Sequence, residues 1–180
     1  MKILLINSYH YRKGGADTVY FNTAHLLKQK GHEVFFFSTY QNNNKFNNLE
    51  RSFAKGRDLR KLSIVGKLLA APSFIYNRDA HDKLLRVIGQ IKPDIAHIHL
   101  FLGGLSSSIL SVLKNANIPI IHSVHDYRLI CPAYLFLDGK NKLCEKCKDG
   151  LYLNVSGINV LKIVMHRVQY WHLMHILENT

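Results

Sequence analysis

Apolar residues recur in two rhythms along this chain, and the rhythms predict its elements. Ile3 to Ile6 is an unbroken apolar run, the mark of a strand covered on both faces. It leads into a polar loop, Asn7 to Gly15, that closes with Gly14-Gly15. Ala16, Val19, Tyr20, Thr23, Ala24 and Leu27 then recur at helical spacing, and Gly31 stands where a helix cap belongs. Val34 to Phe37 is a second buried run. Strand, glycine loop, helix and strand predict a βαβ unit with a parallel sheet and a right-handed crossover.

Further along, Gln41 to Asn48 is Asn-rich and predicts a loop. Leu62, Val65, Leu68 and Leu69 suggest a short amphipathic helix, and Pro72 fits the first turn of the next helix, which runs to about Ile91. Lys92-Pro93-Asp94 ends that helix. Ile95 to Leu100 reads as a strand, Leu105 to Ala116 as a helix, and Ile120 to Val124 as a strand. His125 to Tyr152 is a long connection. Ile158, Leu161, Met165, Val168 and Trp171 then share a helical face, for which core packing is the default reading. The alternation predicts one domain over residues 1–180: an α/β fold with an open, doubly wound, Rossmann-like parallel sheet.

Length and composition support that class: 180 residues, 47% of them apolar, can bury one core. Charge adds a constraint, because 24 Lys and Arg against 12 Asp and Glu leave +12 and call for an anionic partner. The basic stretch from Lys45 to Lys67 is either a solvated surface or an attraction for anionic lipid or phosphate. No nucleic-acid motif accompanies it, so nucleic acid is not expected as a partner. The N-terminal apolar run is too short for a secretory leader, and no stretch reaches the roughly 18 apolar residues of a membrane span. A cytoplasmic protein is expected, at most peripheral at the inner face of a membrane. Three Cys, an odd number, suit a reducing compartment.

In open parallel sheets, ligands bind beyond the carboxyl ends of the strands. Three segments leave such ends: Asn7 to Gly15, His99 to Gly104, and His125-Asp126-Tyr127. Gly14 and Gly15 offer a positive φ or a close backbone approach, and the helix after them presents N–H groups to a phosphate. A tight turn without a ligand is the alternative. The dinucleotide and P-loop fingerprints are both missing, which disfavours a nucleotide-dependent oxidoreductase and a P-loop enzyme. His97 and His99 share one face of a strand; His99 lies nearer the cleft, while His97 suits a hydrogen-bonded sheet position. Asp126 either orients the His125 imidazole, or serves with it as a hydrogen-bonding partner for a sugar hydroxyl, or simply caps a loop. Cys131, Cys144 and Cys147 have the C-x12-C-x2-C spacing of a structural zinc site that still needs a fourth donor, with His122 and His125 as candidates. Reduced thiols packing a loop are the alternative.

Four stretches then resemble one family. Gly14-Gly15-Ala16-Asp17 with the later Lys30-Gly31-His32-Glu33-Val34, Lys92-Pro93-Asp94-Ile95-Ala96-His97-Ile98-His99, Ile118-Pro119 through His125-Asp126-Tyr127, and Cys131-Pro132 with Cys144 and Cys147 occur in order over residues 1–150. Together they are similar to the N-terminal domain of retaining glycosyltransferases of family 4, which have the GT-B fold. The resemblance implies an acceptor-side domain whose donor-binding partner domain is not in this chain. It implies a nucleotide-sugar donor, and the basic surface points to a cell-envelope glycan or lipid-linked acceptor. It further implies that Gly14 and Gly15 approach the donor phosphates and that His125 contacts the transferred sugar, with Asp126 shaping that pocket as the second catalytic position. His99 and Tyr127 complete the substrate-binding set. No catalytic cofactor is implied, and a metal at the Cys would be structural. The competing expectation is a non-catalytic basic module that binds anionic lipid or polysaccharide.

Overall fold

The structure, a computed structural model, describes residues 1–45, 49, 52–56, 63, 73, 75–102, 104–131, 134–138, 140–145 and 147. The chain divides into two units, Met1–Ser123 and Val124–Thr180.

The first unit is built on four strands. β1 spans Lys2–Ile6, β2 Glu33–Phe37, β5 Ile95–Ile98 and β6 Ile120–His122, in the spatial order β2-β1-β5-β6 and parallel throughout. β3 (Thr39–Tyr40) and β4 (Ala54–Lys55) form a separate short parallel pair. The helices are α1 (Gly15–Gln29), α2 (Arg78–Ile91) and α3 (Ser108–Asn115). This is a Rossmann-like α/β fold, as the hydrophobic rhythm predicts.

Register decides which side chains share a face. Ile3 pairs with Val34 and Ile95, and Leu5 with Phe36 and His97. Side chains at paired positions of adjacent strands point the same way. Ile3, Leu5, Tyr20 and Ala24 accordingly form one core cluster, with Val34, Phe36 and Ile95 against it, so this is the face under α1. Leu4 and Ile6 point to the other face and are as fully buried. α2 buries Leu84, Val87, Ile88 and Ile91, and packs on α3.

The boundaries have local causes. Gly31, at φ +79°, ends α1 in the left-handed region where glycine carries no steric penalty. α2 starts at Arg78, where Asn77 caps it: the Asn77 side chain accepts from the Ala80 N–H at 3.1 Å. Its amide also donates to the Gly104 carbonyl at 2.8 Å, and its backbone N–H donates to Ser106 Oγ at 2.8 Å. Ser108 Oγ donates to the Asn77 carbonyl at 2.9 Å, so the start of α2 is sewn to the start of α3. α2 ends on Lys92 at φ 48°, and Pro93 cannot continue it. Asp94 then accepts from the Lys2 N–H at 2.6 Å and returns its own N–H to the Lys2 carbonyl. The β1–β5 pairing is thereby locked at its starting end.

α3 begins three residues later than its apolar pattern suggests, because the buried segment Ser106–Ser108 is taken up by that seam. β6 ends at His122, two residues early. Its Ile120 and Ile121 are 40% and 51% exposed, and among the described residues nothing pairs with its outer edge. The expected helices around Leu62–Leu69 and Ile158–Trp171, and Pro72 itself, lie outside the described residues. Among those described, no helix is long and apolar enough to cross a membrane.

Replacing Asn77 with Ala removes a cap and a buried tie to Gly104. Urea denaturation is expected to show a loss of about 1 to 2 kcal/mol, larger than a cap alone in an exposed helix.

Candidate functional site

The strand order turns at β1: β2 lies on one side of it and β5, which follows much later, on the other. The switch point is therefore the β1–β5 junction, the place where ligands bind in such sheets. Here the ladder continues past the strands. The His99 N–H donates to the Ile6 carbonyl at 2.8 Å and the Ser8 N–H to the Leu100 carbonyl at 2.6 Å.

Asn7 occupies the centre of this junction. It continues the parity of Ile3 and Leu5, so its side chain lies under α1. Fully buried, it donates to Asp17 Oδ1 at 2.8 Å and to the Tyr9 carbonyl at 2.8 Å, and accepts from the Leu100 N–H at 3.0 Å. Asp17 Oδ2 accepts from the Gly14 N–H at 3.0 Å. The acid lies in the first turn of α1, where the helix dipole favours a negative charge. Gly104 closes the junction from the β5 side: a Cβ there would come within 3.1 Å of Thr39 Cγ2 and 3.3 Å of Ser8 Oγ, so only glycine fits without displacement.

Gly14 and Gly15 stand at the α1 start, but not for the expected conformational reason. Gly14 has φ −163°, extended backbone open to any residue, and Gly15 is the first helical residue. A Cβ on either would meet nothing within 4 Å. What the pair leaves is open space above the helix end. The Gly15 and Ala16 N–H groups meet no acceptor among the described residues, as the first turn of a helix dictates.

His99 is buried, 1% exposed, with its ring stacked on His97 at 4.5 Å and edge-on to Tyr20 at 5.4 Å. It is part of the wall beneath the junction rather than an open surface group. His97 Nε2 lies 2.8 Å from Ser123 Oγ, in the hydrogen-bonded sheet position expected of it.

A buried titratable pair beside the junction escaped the sequence argument. His10 Nδ1 lies 3.0 Å from the Tyr20 hydroxyl, inside a box of Tyr20, Phe21, Phe36 and Phe53 rings. Burial, then the charges of Lys45 and Lys28, lower the His10 pKa from 6.5 to about 4. Burial, and then the Asp17 carboxylate, push the Tyr20 hydroxyl well above its ordinary range. At neutral pH both groups are therefore uncharged. The signal for His10 was its place in a loop between aromatic-rich elements, which no periodicity marks.

The second unit holds the remaining expected residues. His125 and Asp126 are half-buried, and Tyr127 is exposed. Asp126 accepts from the Arg128 N–H at 2.9 Å and pairs with its guanidinium at 3.1 Å, so both carboxylate oxygens serve Arg128 as in the loop-capping alternative. The Arg128 guanidinium lies 5.1 Å over the Tyr134 ring, and Tyr127 packs edge-on against Phe136. Cys131, Cys144 and Cys147 are free thiols, the first and last of them buried. Burial, with Cys131 and Cys144 nearby, raises the Cys147 pKa and keeps it a thiol. Among the described residues, no group of three His, Cys, Asp or Glu is arranged to hold a metal ion. Of the two fourth donors the spacing suggests, His122 has its Nε2 3.2 Å from the His99 carbonyl oxygen.

A parallel switch-point sheet with a glycine-led helix at its mouth is a ligand-binding frame, and comparison with known proteins gives it a family. Residues 13–150 match the profile described as Glycosyltransferase Family 4. The chain belongs to glycosyltransferase family 4. It is also 28% identical over 173 residues to a Klebsiella pneumoniae protein described as an uncharacterized 42.6 kDa protein in the cps region. That match covers 89% of this chain and 43% of the relative, so the chain spans less than half of the relative's length. In this family 4 chain, Gly14, Gly15 and His99 belong to the first unit, and His125, Asp126 and Tyr127 to the second.

The low His10 pKa predicts a pH effect. Between pH 6.5 and about 4 the unfolded chain binds a proton that the folded chain refuses. The contribution is complete above pH 6.5 and is lost as pH falls towards 4, by up to about 1.4 kcal/mol per pH unit. His10→Phe should flatten this part of the stability curve. It should also cost about 1 to 3 kcal/mol at neutral pH, by stranding the Tyr20 hydroxyl. Urea midpoints of both proteins across that pH range are the check.

Proposed function

We propose that this chain is the acceptor-side half of a retaining glycosyltransferase with the GT-B architecture. It moves a sugar from a nucleotide-sugar to an envelope glycan or lipid-linked acceptor. Family membership supports sugar transfer, and the cps-region relative favours a polysaccharide product. The observation that carries the proposal is the open start of α1: among the described residues, Gly14 and Gly15 leave free space and the Gly15 and Ala16 N–H groups face no acceptor. Such a helix end favours a phosphate on two grounds, its N–H groups and its dipole.

In this scheme the bond between the anomeric carbon and the donor phosphate oxygen breaks, and an acceptor oxygen bonds to the same carbon on the same face. The acceptor proton passes to the leaving phosphate. Gly14 and Gly15 hold that phosphate as its charge grows, which is the form of stabilisation that accelerates the step. His125 contacts the transferred sugar, Asp126 holds the loop that presents it, and Tyr127 lines the acceptor side. The nucleotide is bound by a second Rossmann-like domain outside residues 1–180. The basic surface attracts the enzyme to the inner face of an anionic membrane.

Two substitutions in the complete protein test this. Gly15→Ala clashes with nothing in the chain, so the melting temperature should hold or rise. Sugar transfer should nevertheless fall by at least about tenfold, because a methyl occupies the space kept for phosphate oxygens. His125→Ala should lower turnover at least about tenfold with the fold intact. Normal transfer by both variants would remove these residues from the site. Salt-sensitive binding to anionic liposomes, with no sugar transfer by the complete protein, would favour the non-catalytic module instead.

A further inference from the structure

Asn7 and Asp17 form a hydrogen-bonded line that joins the turn after β5 to the start of α1. The line runs from the Leu100 N–H to Asn7 Oδ1, from Asn7 Nδ2 to Asp17 Oδ1, and from the Gly14 N–H to Asp17 Oδ2, at 3.0, 2.8 and 3.0 Å. Asn7 is fully buried and Asp17 is 3% exposed. No ion pair reaches Asp17 among the described residues, so amide dipoles and the start of α1 alone hold its charge.

The fold does not require this arrangement. Position 7 continues the parity of Ile3 and Leu5, and an apolar residue there would extend the core cluster beneath α1. Burying an amide and a carboxylate in its place is costly unless each polar atom is matched, and a matched network specifies one geometry where apolar packing tolerates several. The geometry specified here is the position of the Gly14–Gly15 helix start relative to the His99–Leu100 turn.

We infer that Asn7 and Asp17 are positioning residues, a clamp that holds the phosphate-facing start of α1 in register with the turn after β5. The inference rests on the proposed transfer function for its purpose, but the coupling itself can be measured without it. Neither side chain meets substrate. The clamp fixes the direction of the Gly15 and Ala16 N–H groups, so a phosphate meets them without a reorganisation step.

The test is an exchange of partners. Asn7→Asp sets a carboxylate against the Asp17 carboxylate. Asp17→Asn leaves one amide face with the wrong polarity towards either Asn7 or Gly14. In the double variant N7D/D17N, the carboxylate now at position 7 accepts from Leu100 and from the amide at position 17, whose oxygen accepts from Gly14. Amide hydrogen exchange on the full chain reads both ends. Each single variant should speed exchange at both Gly14 and Leu100 by at least about tenfold, the factor that goes with one lost buried hydrogen bond. The Leu4 and Leu5 amides should stay protected. The double variant should bring both ends back to within about threefold, the remainder reflecting the Tyr9 carbonyl, which loses its donor and faces a carboxylate oxygen instead.

The clamp is overturned if Asp17→Asn changes Gly14 and leaves Leu100 as it was. It is equally overturned if Leu4 and Leu5 open in step, which is general destabilisation. In the complete protein, kcat for sugar transfer should follow the same pattern, falling at least about tenfold in each single variant and recovering in the double, with acceptor KM nearly constant. Unchanged kcat in the single variants would sink the positioning role. If the wild-type protein transfers no sugar, the proposed function fails, while the exchange rates still decide the clamp.

Discussion

β1 is hydrogen-bonded to a parallel strand on each edge and buried on both faces. Leu4, Leu5 and Ile6 have no exposed surface, and each buried aliphatic side chain contributes about 1.5 to 3 kcal/mol. From Ile3 to Ile6 this enclosed strand carries only apolar side chains, so polar chemistry on its carboxyl side begins at Asn7, where it ends. Everything ligand-facing in the first unit follows from that. The first residue past the apolar run is Asn7, and its amide organises the helix start and the neighbouring turn. The neighbours of β1 are fixed at both ends: Asp94 ties β5 to Lys2 at the start, and the His99 and Ser8 amides continue the ladder beyond Ile6.

Much of this frame was legible because it is periodic. The run Ile3–Ile6, the helical spacing of Tyr20 and Ala24, and the cap at Gly31 all report burial or backbone conformation directly, and each falls where the pattern placed it. Less legible was anything decided by partners far away in sequence. Asn77 starts its helix through ties to Gly104, Ser106 and Ser108, some thirty positions on, and no local spacing announces them. The short β3–β4 pair is held by two registered residue pairs, too few for a period to show.

The sequence placed candidate site residues at strand ends without showing what most of them hold. The glycine pair, His99 and His125-Asp126 were grouped by their places at strand ends and given roles by resemblance, yet the described residues give several of the family motifs a framework task. Lys92-Pro93-Asp94 stops a helix and locks two strands at the end away from the ligand face. Asp126 serves Arg128. Gly14 and Gly15 leave open space at the start of α1, and Gly14 has an extended φ that any residue can adopt. Asn7 and Asp17 were passed over because a single polar residue after a strand and a single acid after two glycines are each unremarkable; only their mutual distance makes them a unit.

At the far side of the sheet, β6 is three residues long, with Ile120 and Ile121 substantially open and its outer edge unpaired among the described residues. An uncovered apolar edge is a template that accepts any extended segment offering matching amides. At high concentration the readiest such segment is the same strand of another molecule.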